Sequence, residues 1–164
     1  MKECSRCGKS AVTFRPYSGE YLCKGCFTKS IEARVKHSIT THKMLKEDDR
    51  IALGLSGGKD SAVLLHIMKR VETKFAKSSL VAITMDEGIA NYREESIALA
   101  RRSAQQLNIP HFIFSFKEIF GYSIDEIMQD EHVRKSGVSA CSFCGSLRRR
   151  ALNQKARELG ASKL

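Results

Sequence analysis

From residue 51 onward, short unbroken apolar runs alternate with longer stretches in which apolar residues recur every three or four positions. The runs at 51–55, 80–85 and 111–116 have the length and continuity of strands covered on both faces. Between them, the spacing predicts a helix over 60–71 with a stripe of Val63, Leu64, Ile67, Met68 and Val71. A second helix is expected over 93–107, with Ile97, Ala100, Ala104 and Leu107 on one face. Asn108-Ile109-Pro110 ends it, because proline restricts its predecessor and cannot continue a helix. Further helical segments are expected at 123–131 and 146–159, the latter stopped by Gly160. Strands alternating with helices imply βαβ units: an α/β fold with a Rossmann-like parallel sheet and helices on both faces. Upstream, Ile31, Val35, Ile39 and Leu45 predict a helix over 27–45, and a polar turn at 46–50 leads into the first strand. The implied division is a finger at 1–27, a linker helix at 28–50 and an α/β domain at 51–164.

The six cysteines form three Cys-x-x-Cys pairs. Cys4, Cys7, Cys23 and Cys26 read C-x2-C-x15-C-x2-C. Each pair grips one ion from a tight turn, and four thiolates complete a tetrahedral Zn2+ site. Two redox pairs or free thiols are the competing interpretation. Gly8 and Gly25 fall where such turns want a small residue, and residues 12–22 read as a hairpin around Ser18-Gly19. So small a module cannot stabilise itself by burial, so the metal would supply much of its folding energy. His37 and His42 read as solvated, because four cysteines already suffice. Cys141 and Cys144 have no partner pair. They read as a redox or persulfide pair, two ligands of a cluster completed elsewhere, half of an intermolecular site, or two buried thiols. Arg148-Arg149-Arg150 would lower their thiol pKa by Coulomb attraction.

Directly after the first strand comes Ser56-Gly57-Gly58-Lys59-Asp60-Ser61, then a helix. Two glycines let backbone approach a phosphate, the new helix turns free N–H groups toward it, and Lys59 adds charge. A Walker loop is excluded, because Leu53 stands where it needs glycine and Asp60 where it needs Ser or Thr.

With 28 Lys and Arg against 18 Asp and Glu, the net charge is +10. Between 134 and 163 there are eight basic residues and one acid, Glu158, a concentration that favours a polyanionic partner such as nucleic acid. No apolar run approaches the roughly 18 residues of a spanning helix. The opening Met1-Lys2-Glu3-Cys4 lacks an apolar signal core, so a cytoplasmic location and no membrane are expected.

The SGGKDS loop resembles the pyrophosphate loop of the ATP pyrophosphatase (PP-loop) superfamily. Three more stretches narrow the resemblance: the double Cys-x-x-Cys finger; Met85-Asp86-Glu87-Gly88-Ile89 followed by Tyr92-Arg93-Glu94-Glu95; and Cys141-Ser-Phe-Cys144-Gly-Ser-Leu-Arg148-Arg149. Together they are similar to the TtuA / cytoplasmic tRNA 2-thiolation family. The resemblance implies ATP-dependent replacement of a tRNA uridine 2-keto oxygen by sulfur, with sulfur delivered by a ubiquitin-like carrier bearing a thiocarboxylate. It implies that Ser56, Gly57, Gly58, Lys59, Asp60 and Ser61 hold ATP phosphates, Asp60 with Mg2+. Gly54 and Leu55 would border the nucleotide, and backbone around Ile83 and Met85 would meet the adenine. Cys141 and Cys144 would hold a [4Fe-4S] cluster with a third, later cysteine, and Arg148 would stabilise developing phosphate charge. The alternatives are a persulfide thiolase without a cluster and a non-catalytic zinc and RNA-binding module. The resemblance also implies a longer protein, with a strand starting at 161–164 beside the first strand, a further nucleotide segment and a second finger. The sheet would then be incomplete in these 164 residues, and its open edge would be covered by that portion or by a second copy in a homodimer.

Overall fold

The computed structural model describes residues 2–73, 77–90, 93–135 and 137–164, so Met1 and Tyr92 of the motifs above lie outside the described residues. The chain divides into two compact units, Met1–Leu45 and Lys46–Leu164.

In the first unit, β1 (Thr13–Arg15) pairs antiparallel with β2 (Glu20–Leu22). The connection is one tight turn, Pro16–Ser18, closed by Gly19 in the left-handed region. This is the expected hairpin. Helix α1 spans Lys24–Thr41. It starts before the expected position 27 because Cys23 caps it, its sulfur accepting the Cys26 amide at 3.4 Å. Gly25 is therefore an ordinary residue of the first helical turn rather than a turn glycine. Leu22, Cys4 and Cys23 are buried together and form a small core, with Cys26 against it.

In the second unit, β3 (Arg50–Gly54), β4 (Ser79–Asp86) and β5 (His111–Ser115) form a parallel sheet in the order β3-β4-β5. The register pairs Gly54 with Ile83 and Ala82 with His111. Helices α2 (Lys59–Glu72) and α3 (Arg93–Gln106) are the crossovers. Both pack on β4 and on each other. Successive β4 side chains face opposite ways. Val81, Ile83 and Met85 share a core with Phe116, Ile124, Cys144, Ala151 and Ala156. Those partners come from α4 (Phe116–Phe120), α5 (Ile124–Ile127) and α7 (Ala140–Glu158). Leu80, Ala82 and Thr84 lie on the opposite side of the strand and are also buried. The expected α/β class, a parallel sheet flanked by helices, is what the chain forms.

Several boundaries differ from the pattern. Of the expected helix at 123–131 only the short α5 forms, and a second short helix, α6 (Glu131–Lys135), begins where it was expected to end. Strand β5 stops at Ser115 because that residue begins α4 with a capping box, its hydroxyl on the Glu118 amide and the Glu118 carboxylate on its own N–H. Helix α7 begins at Ala140, six residues before the expected start, because the Ser139 side chain caps it by accepting the Ser142 amide at 3.3 Å. On α2, Ile67, Met68 and Val71 of the expected stripe are buried together with Leu65, whereas Val63 and Leu64 are 53% and 42% exposed. Residues 62–65 are apolar all round, so periodicity could not choose the face. Past Gly160 the chain turns back along β3. Ser162 N donates to Arg50 O at 2.8 Å, and Ala52 N donates to Lys163 O at 2.8 Å. This parallel bridge, Ile51 to Lys163, lies where the resemblance expected the next strand.

Candidate functional site

The loop Ser56–Ser61 leaves the C-terminal end of β3 and opens α2, with Gly58 at the cap position. It is braced from within. Ser56 and Ser61 hydroxyls lie 3.0 Å apart, Ser61 Oγ also receives the Ser56 amide at 3.2 Å and donates to Gly58 O at 2.9 Å. Gly57 has φ +83°, and a Cβ built there would lie 2.0 Å from the backbone oxygen of Ser96 on α3. Only glycine lets this loop lie against that helix.

Two cavities meet at the loop. One, of about 90 Å³, is lined by Gly54, Leu55, Ser56, Ile83 and Met85 together with Glu87, Arg93, Arg148 and Leu152. The other, of about 520 Å³, is bordered by Ser56, Gly57, Gly58 and Ser96, and shares Arg93 and Arg148 with the first. The structure thus brings Gly54, Leu55, Ser56, Gly57, Gly58, Ile83, Met85 and Arg148 to one place. Lys59 and Asp60 stand exposed in the first turn of α2, outside the lining of both cavities. The carbonyl of Ile83 accepts Leu55 N at 2.8 Å, and that of Met85 accepts a guanidinium N–H of Arg93.

Cys141 and Cys144 lie in the first turns of α7, Cys141 exposed and Cys144 buried. Arg148, one helical turn on, donates from Nη2 to Cys144 Sγ at 3.1 Å and from Nε to Glu87 Oε1 at 2.6 Å. Burial pushes the Cys144 thiol up, and Glu87 adds to that, while Arg148 opposes it. The arginine run therefore does not lower this thiol as charge counting suggested, because loss of water outweighs the nearby cation. Arg149 and Arg150 are exposed.

Glu87 and Arg93 carried no role in the sequence reading beyond membership of a motif. Glu87 is 1% exposed and Arg93 is 7% exposed. Their ion pair closes at 2.6 Å between Arg93 Nε and Glu87 Oε2. No periodicity marks a buried carboxylate between two arginines from separate helices. The only trace in sequence is an acid directly after a strand.

In the first unit, the four sulfurs of Cys4, Cys7, Cys23 and Cys26 lie within 4.8 Å of one another, Cys7 and Cys23 at 3.5 Å. Tetrahedral thiolates about 2.3 Å from a zinc ion stand about 3.8 Å apart, so this donor set fits one. Backbone amides, chiefly that of Cys23, pull the Cys4 thiol down to about 6, and the neighbouring thiols, chiefly Cys7, push Cys26 up to about 12. Four sulfurs this close ionise together only around a cation. His37 and His42 are exposed and outside the cluster.

Comparison with known proteins adds two family matches: residues 27–137 match the PP-loop domain, and residues 3–28 match the N-terminal LIM domain of 2-thiouridine synthetase TtuA. The chain is similar to cytoplasmic tRNA 2-thiolation protein 1 of Xenopus laevis, 36% identical over 99% of this chain and 47% of that protein. It is 38% identical to tRNA 2-thiolation protein NcsA of Haloferax volcanii, over 99% of this chain and 51% of that one. Among solved structures it is similar to the U34-tRNA thiolase NcsA from Methanococcus maripaludis with its [4Fe-4S] cluster, with TM-score 0.84 and 33% identity, covering 98% of this chain and 51% of that one. The chain therefore spans about half the length of the relatives it matches. An NH3-dependent NAD synthetase from Campylobacter jejuni, 22% identical with TM-score 0.52, shares the fold alone, over 79% of this chain and 50% of that one.

Proposed function

The chain belongs to the PP-loop domain family, and from that premise we propose that it serves ATP-dependent 2-thiolation of a tRNA uridine in the cytoplasm. The observation that carries this reading is Arg148, which lines both cavities at the SGGKDS loop and holds the Cys144 sulfur at 3.1 Å. In this reading one guanidinium serves both a nucleotide loop and a sulfur-handling cysteine. The similarity to a U34-tRNA thiolase supports the substrate class, and the net charge of +10 suits a polyanion.

In this reading the loop amides and the start of α2 receive the ATP phosphates, with Lys59 supplying charge and Asp60 holding Mg2+. Gly54, Leu55, Ile83 and Met85 border the nucleoside. The uridine O2 attacks the α-phosphorus, and the bond from that phosphorus to the bridging oxygen breaks, releasing pyrophosphate. Sulfur then forms a bond to C2 as the C2–O2 bond breaks, and AMP leaves. Arg148 stabilises the phosphate charge that develops. Cys141 and Cys144 would supply two thiolates to a [4Fe-4S] cluster, whose chemistry when bound is to present sulfide as nucleophile. A ubiquitin-like thiocarboxylate carrier would be the source of that sulfur. The N-terminal cysteines would hold zinc structurally, since four protein ligands leave no open position.

Nucleoside mass spectrometry of tRNA from a deletion strain tests the reading. The expected result is loss of 2-thiouridine at one position, restored by the intact gene and not by Lys59→Ala. Unchanged 2-thiouridine, or turnover giving ADP and phosphate rather than AMP and pyrophosphate, would reject it.

A further inference from the structure

Glu87 has a buried charge that the scheme above does not use. Its backbone is fixed on both sides. Ile124 N donates to its carbonyl at 2.8 Å, and Ala90 N donates to Asp125 Oδ2 at 2.8 Å. At the intervening Gly88, φ is +67° and a Cβ would lie 2.5 Å from that of Ser123. The carboxylate is thus presented from a clamped segment beyond β4 to Arg93 on one oxygen and Arg148 on the other. Arg93 is buried and already bonded to Met85 O, so it suffices to neutralise Glu87. Arg148 is different: its side chain is 45% exposed and borders both cavities. A buried carboxylate held by two arginines is a poor source of stability, because its desolvation offsets most of the attraction.

We propose that Glu87 is a positioning residue that holds Arg148 by its Nε and so aims the guanidinium between the Cys144 sulfur and the phosphate-side cavity. A guanidinium is a rigid planar fork. A bond at Nε at 2.6 Å fixes its plane, and Nη2 then reaches Cys144 at 3.1 Å. The remaining N–H donors are left for an anion in the cavity. Without Glu87, a half-exposed arginine on a helix surface samples several rotamers, and an anion must immobilise it on binding.

The proposal rests on the reading that ATP occupies this cavity. Calorimetric titration of ATP into the 164-residue chain tests it, using the parent, Glu87→Gln, Arg148→Gln and the double variant. Each single variant is expected to weaken binding about tenfold, as for loss of one oriented charge-assisted hydrogen bond. The double variant should also bind about tenfold weaker, since Glu87 acts only through Arg148. Arg148→Lys should behave like Arg148→Gln, because an ammonium has no Nε to grip. Parent-like ATP affinity in Glu87→Gln, or about a hundredfold loss in the double variant, would overturn the proposal. Should Glu87→Gln fail to fold, Arg148→Lys decides alone, and parent-like affinity there would overturn it. A parent chain that binds no ATP would instead show that these residues do not hold the nucleotide by themselves, and would overturn this proposal while leaving the thiolation reading to the tRNA analysis.

Discussion

Replacing Gly57 by alanine tests the contact that holds the Ser56–Ser61 loop against α3. The added Cβ would stand 2.0 Å from Ser96 O, 2.7 Å from Ser96 C and 2.9 Å from Ser96 Cα. These are backbone atoms and cannot rotate away, so the loop or the helix must shift by roughly 1.4 Å or more to reach ordinary van der Waals separation. The residue also has φ +83°, where an L side chain adds about 1–2 kcal/mol. Overpacking against rigid neighbours adds about 1–3 kcal/mol, so Gly57→Ala should destabilise the α/β unit by about 2–5 kcal/mol. Gly121 provides the control. It has φ +86° with nothing among the described residues within 4 Å of its would-be Cβ, so Gly121→Ala should show the conformational cost alone, about 1–2 kcal/mol. Urea unfolding followed by circular dichroism measures both, and ATP calorimetry on Gly57→Ala should show weakened binding because the amides are displaced. Equal destabilisation by the two variants, with ATP binding intact in Gly57→Ala, would refute the contact.

Three further outcomes are expected. Cys23→Ala should abolish stoichiometric zinc measured by plasma mass spectrometry and melt the first unit while leaving ATP binding in place; full zinc retention would refute the site. Leu65→Ala, at a fully buried position, should cost about 2–5 kcal/mol, against under about 0.5 kcal/mol for the half-exposed Leu64→Ala; similar urea midpoints would show the wrong face of α2 assigned. Asp49 is held below the usual carboxylate range by the Lys46 amide and the Ser162 hydroxyl, each at 2.7 Å. Because the folded value is the lower one, its stabilisation is present above the unfolded carboxylate range near about pH 4 and is lost as pH falls through the folded value. Asp49→Asn should therefore flatten the acid limb of stability, seen in urea melts between neutral and acid pH. An unchanged acid limb would refute the clamp.

Local order was legible in the residues themselves, because strand, helix and turn preferences act over a few neighbours. The apolar runs marked β3, β4 and β5, Pro110 marked the end of α3, and two cysteine pairs marked a cluster whose sulfurs do converge. The glycine pair after the first strand marked the loop, because phosphate cradles need backbone without side chains. What depended on partners distant in sequence was decided by the tertiary structure. The apolar stretch at 62–65 offered two faces, and packing against β4 and α3 chose Leu65. The environment of Cys144 was set by burial in the core under α7, which outweighs the charge of its neighbouring arginines. Glu87, Arg93 and Arg148 come together only because the end of β4, the start of α3 and the third turn of α7 meet at one mouth of the sheet. Coulomb attraction and desolvation depend on distance in space, and across the 61 positions between Glu87 and Arg148 the order of residues carries no record of it.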